Sequence, residues 1–233
     1  MSVSVGKRLL AVGVLVSAIV VGGCDPDAPV GLERRDCVVI LGDSIFALTG
    51  AESDFLQDLT GQQYREFFQN GAQLVGGFVP DIRSQLETAI RGGDIRTIIM
   101  DGGGNDSLIG GLSGPALVQE LQMGFMNIFA RARSVGVENI IVQGYYRVAV
   151  APPDFAETMT LLAQSLEAWG DAAGMNVVTI DPSVDPFFAT RNPSQYTIDG
   201  IHPTDPASLR LAELVFDAMV ANNIERGPAC PMN

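Results

Sequence analysis

The sequence is poor in positive charge and in side chains that bind transition metals. Its 233 residues contain 14 lysines and arginines against 27 acidic residues, and a single histidine. Because phosphate binding needs clustered lysine or arginine, we expect no nucleic-acid partner. Zinc sites usually take several histidine or cysteine ligands, so we also expect no metal centre.

The apolar run near the N-terminus is too short for a membrane span. Lys7 and Arg8 precede 13 apolar or small residues, 9–21, whereas a spanning helix needs about 20. This pattern predicts an export signal over residues 1–23. Gly22 and Gly23 directly before Cys24 resemble a bacterial lipobox, which predicts a lipid anchor on Cys24; simple secretion is the alternative.

Cysteine is scarce, and its number is odd. Of three cysteines, lipidation of Cys24 leaves Cys37 and Cys230, which we predict to form a disulfide in an oxidising compartment. Two unpaired buried thiols are the alternative. Residues 24–36 lack periodicity and predict a tether, so the folded domain is expected over residues 37–233.

Short β-branched runs alternate with stretches of helical period in the mature chain. We predict strands at Cys37–Leu41, Ile95–Met100, Asn139–Gln143 and Asn176–Ile180, and a weaker one at Tyr64–Gln69. Helices are predicted at Ile82–Arg91, Pro115–Ser134, Phe155–Ala173 and Thr204–Asn222. Continuous apolar strands favour a parallel sheet covered on both faces. The predicted fold is a three-layer α/β/α sandwich of about five parallel strands, with ligands beyond their carboxyl ends.

Two polar segments directly follow predicted strands. The first strand leads into Gly42-Asp43-Ser44, which can expose the Ser44 hydroxyl at the carboxyl edge of the sheet. The third leads into a glycine-rich turn in which Asn105 can donate a side-chain hydrogen bond to developing negative charge. A dinucleotide-binding turn is excluded because Ser107 stands where its third glycine should be. Asp43, Asp101 and Asp106 fit loop and capping roles better than cation binding.

The only histidine, His202, lies in Asp199-Gly200-Ile201-His202-Pro203 before the last predicted helix. A serine hydrolase needs one imidazole as base and a carboxylate to orient it. Asp199 lies three residues from His202 and can reach its ring, and Pro203 favours a loop over a helix at His202. Together with Ser44 at a strand end, this arrangement predicts a Ser44–His202–Asp199 triad.

These residues resemble the serine, asparagine and histidine blocks of SGNH/GDSL hydrolases, in the same order and across nearly the whole mature chain. The resemblance implies a flavodoxin-like sandwich that hydrolyses an ester or thioester without a metal or cofactor. It also implies a backbone N–H donor from a glycine after the second strand. Gly71 is our first choice, with Gly76 and Gly77 as alternatives, and the expected oxyanion hole combines Ser44, Gly71 and Asn105.

The predicted protein is therefore an exported serine esterase that forms an acyl-enzyme on Ser44. A small-molecule, glycan or lipid ester fits the same site, and the predicted contact with the membrane is the lipid on Cys24. The competing hypothesis is a surface lipoprotein that binds a glycan or other ligand without turnover. The aromatic residues Tyr145, Tyr146 and Trp169 are expected to pack in the core.

Overall fold

The computed structural model describes residues 33–111 and 113–224. Five strands run over Glu33–Leu41 (β1), Gln62–Glu66 (β2), Thr97–Met100 (β3), Asn139–Gln143 (β4) and Asn176–Ile180 (β5). The α-helices are Ser44–Ala47 (α1), Ala51–Thr60 (α2), Ile82–Arg91 (α3), Gly104–Ile109 (α4), Gly114–Ser134 (α5), Phe155–Ala173 (α6), Pro186–Ala189 (α7) and Asp205–Ala221 (α8). No helix in these two ranges is long and apolar enough to cross a membrane.

The five strands form one parallel sheet in the order β2-β1-β3-β4-β5. Leu41 pairs with Met100, and Met100 pairs with Val142, so the carboxyl ends of the three central strands lie side by side. The strand order reverses beside β1, and in open α/β sheets the crevice at such a switch point is where ligands bind. The topology therefore brings the segments that follow β1 and β3 to one edge.

Alternate side chains of the central strands enter two apolar layers. Val39, Leu41 and Ile98 pack on one face in the layer that includes α3, α5 and α6. Ile40 and Ile99 pack on the other face in the layer that includes residues of α2 and α8. Burial on both faces explains why β1, β3 and β4 contain continuous apolar runs. The predicted three-layer sandwich with a parallel sheet is confirmed.

Several predicted boundaries are confirmed, and others differ. The predicted ranges of β4, β5, α3 and α6 agree with the structure. Strand β1 begins at Glu33 rather than Cys37, so it includes the last residues of the predicted tether. Strand β2 occupies Gln62–Glu66 rather than Tyr64–Gln69 and pairs with β1 alone, at the edge of the sheet.

The predicted export signal, Cys24 and Cys230 lie outside the described residues. The lipid anchor and the disulfide between Cys37 and Cys230 therefore stay predictions. Cys37 lies in β1, which pairs with β2 on one side and with β3 on the other, and its side chain is buried.

Candidate active site

A tight connection between β1 and α1 presents Ser44. Strand β1 ends at Leu41, and α1 begins at Ser44, so Gly42 and Asp43 form the turn between them. Asp43 is the N-cap of α1, and its Oδ1 accepts the backbone N–H of Ile45 at 2.9 Å. Asp43 thus has the capping role that the sequence predicted, and Ser44 stands at the carboxyl edge of the sheet.

Gly42 is fixed by two hydrogen bonds to one side chain from α3. Its N–H donates to Oε1 of Gln85 at 2.8 Å, and Nε2 of Gln85 donates to the Gly42 carbonyl at 2.9 Å. A Cβ atom at position 42 would collide with Oδ1 of Asp101 and come within 2.9 Å of the Phe46 ring. Position 42 therefore needs a glycine, because neighbouring atoms fill the space that a side chain would take. Gln85 is a supporting residue that the sequence analysis did not identify.

Asp199 and His202 lie in one tightly bonded loop. Oδ1 of Asp199 accepts the backbone N–H groups of Ile201 at 3.0 Å and His202 at 2.9 Å, while Oδ2 lies 2.7 Å from Nδ1 of His202. The N–H of Ile198 donates to the His202 carbonyl at 2.8 Å and closes the loop. The loop presents the carboxylate and the imidazole together.

The structure brings Ser44 and His202 into contact. Oγ of Ser44 lies 2.9 Å from Nε2 of His202, across 158 positions of sequence. Burial raises the pKa of Asp199, but hydrogen bonds from the His202 N–H, its imidazole and the Ile201 N–H outweigh burial and lower it to about 2. An ionised Asp199 favours the tautomer with a proton on Nδ1, which leaves Nε2 free to accept the Ser44 proton.

Asn105 lies in the first turn of α4 and joins it to the loop after β2. Its Nδ2 donates to the Ala72 carbonyl at 2.9 Å, and its side chain is buried. Only one of the two amide hydrogens is used in this bond, so the second can serve another acceptor. The Ala72 N–H closes a turn onto Gln69, and Gly71 within that turn has a φ of 77°. A positive φ of this size favours glycine.

The backbone N–H groups of Ser44 and Gly71 have no protein acceptor within the described ranges. The alternatives Gly76 and Gly77 also have positive φ angles, but they lie further along the loop. Gly76 lines a separate cavity of about 540 Å³ beside α5, whose lining residues do not include Ser44 or His202.

Asp106 anchors the same loop by a second route. Its carboxylate accepts the backbone N–H of Leu74 at 2.8 Å and of Val75 at 3.0 Å. The sequence predicted a loop or capping role for Asp106, and these two contacts hold a loop that lies 32 and 31 positions earlier in the chain. Neighbouring residues of α4, Asn105 and Asp106, therefore hold the loop that contains Gly71 at two points.

The aromatic predictions are confirmed, with one addition. Tyr145 and Tyr146 are buried, and Trp169 packs against Phe125 with ring centroids 6.4 Å apart. The hydroxyl of Tyr145 also donates to Oδ2 of Asp43 at 2.7 Å. Sequence reasoning missed this contact because nothing local links residues 102 positions apart.

A scan of the sequence against protein-family models finds no match, and neither does a search of curated proteins. The fold, in contrast, is similar to that of solved hydrolases. A candidate SGNH hydrolase from Slackia heliotrinireducens has a TM-score of 0.58 at 16% identity, covering 81% of this chain and 99% of that one. The carbohydrate acetylesterase Est24 from Sinorhizobium meliloti has a TM-score of 0.56 at 16% identity, covering 82% and 99%.

A third solved structure is a mutant of Axe2, an acetylxylan esterase from Geobacillus stearothermophilus. Its TM-score is 0.60 at 12% identity, covering 80% of this chain and 94% of that one. The coverage extends over nearly the whole of each of these proteins. The chain therefore has the α/β/α sandwich fold of the SGNH/GDSL hydrolases.

Proposed function

We propose that this protein is a serine esterase of the SGNH/GDSL type, which hydrolyses carboxylic esters through an acyl-enzyme on Ser44. The observation that carries the proposal is the continuous chain of contacts from Ser44 Oγ to His202 Nε2 at 2.9 Å and from His202 Nδ1 to Asp199 Oδ2 at 2.7 Å. A nucleophile, a base and an orienting carboxylate within hydrogen-bond reach are the parts that acyl transfer requires.

In the proposed mechanism, His202 accepts the Ser44 proton through Nε2 as Oγ attacks the acyl carbonyl. The imidazolium that forms is stabilised by the ionised Asp199 and then gives its proton to the leaving alkoxide. In the second half, His202 takes a proton from water as the water oxygen attacks the acyl carbonyl. His202 then returns that proton to Oγ of Ser44 as the bond between Oγ and the acyl group breaks and the acid leaves. Each step balances with ester and water alone.

The proposed oxyanion hole consists of the N–H groups of Ser44 and Gly71 and the second amide hydrogen of Asn105. The hydrogen bond between Asn105 and Ala72 favours Gly71 over Gly76 and Gly77, because it places the asparagine next to that turn. Donors already fixed before substrate arrives stabilise developing charge without reorganisation.

The test is hydrolysis of p-nitrophenyl acetate and longer p-nitrophenyl esters by the purified protein. Ser44→Ala should lower kcat by about 10⁶-fold. Ser84→Ala is the matched control, because Ser84 is an exposed serine in the first turn of α3, and it should leave kcat unchanged. Equal activity in wild type and Ser44→Ala would show that Ser44 is not the nucleophile.

Acetyl esters are the first substrates to assay, since two of the solved proteins with this fold are described as a carbohydrate acetylesterase and an acetylxylan esterase. Acetylated xylan and p-nitrophenyl acetate should then be cleaved faster than octanoyl or palmitoyl esters. No hydrolysis of any ester, together with no labelling of Ser44 by an organophosphonate, would favour the ligand-binding alternative.

We also propose that the protein is exported, lipidated on Cys24 and crosslinked between Cys37 and Cys230. Supporting this are the basic and apolar start of the sequence, the two glycines before Cys24 and the two remaining cysteines. Bacterial cells expressing the wild type should incorporate labelled palmitate into the protein, and cells expressing Cys24→Ala should not. Peptide mapping without reductant should recover the peptide of Cys37 joined to that of Cys230.

A further inference from the structure

Three acidic side chains in the segments around the proposed nucleophile are buried. Asp43, Glu52 and Asp101, which we call the buried acid cluster, are 2%, 1% and 0% exposed. Among the arginines of residues 37–111 and 113–224, none forms an ion pair with any of them. Burying a carboxylate without a cation is costly, so such groups usually keep a proton.

The hydrogen bonds show which of the two contacting aspartates is the acceptor. Asp43 uses both oxygens: Oδ1 accepts the Ile45 N–H at 2.9 Å, and Oδ2 accepts the Tyr145 hydroxyl at 2.7 Å. Oδ1 of Asp101 accepts the Asp43 N–H at 2.7 Å. Oδ2 of Asp101 is buried and accepts no hydrogen bond in the described part of the chain. Of the four carboxyl oxygens, Asp101 Oδ2 is therefore the one where a proton would displace no hydrogen bond.

Electrostatics support the same assignment. Burial raises the pKa of Asp101 well above its usual range, and the neighbouring Asp43 and Glu52 carboxyls raise it further. Burial also raises the pKa of Asp43, but hydrogen bonds from the Ile45 N–H, Tyr145 and Asp101 oppose that rise. Two carboxyl groups in contact cannot both ionise cheaply, and the better solvated or bonded one ionises first.

We propose that Asp101 is a positioning residue that remains un-ionised at neutral pH and holds the turn before Ser44. Its Oδ1 accepts the Asp43 N–H, and in this proposal its carboxyl proton is donated to the Asp43 carboxylate. Asp43 in turn caps α1, the helix that begins with Ser44. The effect on catalysis rests on the proposed function, in which Ser44 is the nucleophile.

The groups that face this pair fix how activity depends on pH. They come from three parts of the chain: Glu52 in α2, Tyr145 and Tyr146 after β4, and His202 in the triad loop. Burial also raises the pKa of Glu52 and of the two tyrosines. A carboxyl or a phenol is neutral or negative at every pH, so none of these three groups can offset the charge of an ionised Asp101. When Asp101 ionises, it can no longer donate a proton to the Asp43 carboxylate, and the two negative charges repel each other. We therefore expect kcat to fall while KM changes little.

The direct test is infrared spectroscopy of the full protein labelled with ¹³C on the aspartate carboxyl carbon. At about pH 8, free aspartic acid is ionised, so a carbonyl band of un-ionised aspartic acid should be visible in the wild type. The band should disappear in Asp101→Asn and persist in Glu52→Gln, which removes a neighbouring buried acid of another residue type. Absence of the band from the wild type would overturn the proposal, and this measurement does not depend on the enzyme being active.

The kinetic test uses two substitutions of Asp101. In Asp101→Asn, the amide oxygen can still accept the Asp43 N–H and the NH₂ can donate to the Asp43 carboxylate, so kcat at neutral pH should stay within about threefold. Asp101→Ala loses both contacts and should lower kcat by about 10²-fold. The decline of kcat at alkaline pH should be absent in Asp101→Asn.

An alkaline decline that is identical in wild type and Asp101→Asn would overturn the positioning role. So would a folded Asp101→Asn with kcat as low as that of Asp101→Ala. An inactive wild type that still shows the infrared band would refute the proposed esterase function and would support the un-ionised state of Asp101.

Discussion

Replacing Asn105 by alanine tests the oxyanion hole most sharply, because two separate losses follow from one change. The variant loses the amide hydrogen proposed to bind the oxyanion, and loss of one such donor costs about 2.7 to 4 kcal/mol, or about 10²- to 10³-fold in kcat. It also loses the 2.9 Å bond to the Ala72 carbonyl, a contact that contributes about 0.5 to 1.5 kcal/mol to stability. KM should change little, since the oxyanion exists only in the transition state and intermediates.

The assay is steady-state hydrolysis of p-nitrophenyl acetate, with urea unfolding of the same protein preparations. Ser107→Ala is the matched control, because Ser107 is a buried polar residue of the same helix whose hydroxyl has no partner in the described ranges. The control should keep kcat within about threefold of the wild type. A folded Asn105→Ala with kcat equal to that of the control would refute the role of Asn105.

Three further predictions concern the groups around this centre. Asp199→Asn should lower kcat by about 10⁴-fold. Because the pKa of Asp199 is lowered to about 2, the wild type loses this carboxylate only as the pH falls through that value. The ratio of the variant's kcat to the wild-type kcat should therefore be constant above about pH 4. Asp106→Ala should lower the free energy of unfolding by about 1 to 3 kcal/mol, measured in urea, since two backbone N–H groups lose their acceptor; unchanged stability would contradict the anchoring role. Gly42→Ala should lower the free energy of unfolding by about 1 to 3 kcal/mol, because the added Cβ collides with Asp101. A variant as stable as the wild type would show that the turn has room for a side chain.

Apolar periodicity predicts most of this fold, and its failures have a physical cause. The central strands and the helices α3, α5, α6 and α8 bury apolar faces, so their patterns are visible in the sequence. Helix α2 was missed because much of the face it buries is polar: Glu52, Ser53 and Gln57 are buried together with Leu56. Strand β2 was misplaced because it lies at the edge and fully buries only Tyr64.

The candidate site likewise contains residues that the sequence predicted and residues that it did not. The sequence predicted the positions of Ser44, Asn105 and the segment from Asp199 to His202. These residues lie just after strands or just before a helix, and serine, asparagine, aspartate and histidine are the residue types that the chemistry requires. Gln85 was not predictable, since it acts across 43 positions through a side chain whose composition signals nothing. The hydrogen bond of Tyr145 to Asp43 was not predictable either, because the sequence identifies Tyr145 only as a core residue.

The two side-chain contacts of His202 span very different lengths of sequence. His202 and Asp199 are three positions apart, so their hydrogen bonds close a small local loop, whereas the Ser44 contact joins segments 158 positions apart. Contacts of high sequence separation carry a larger loop-closure cost and generally form late. Recovery of the proposed esterase activity during refolding should therefore lag behind the recovery of helical circular dichroism. The activity would report the moment at which the segments of Ser44 and His202 meet.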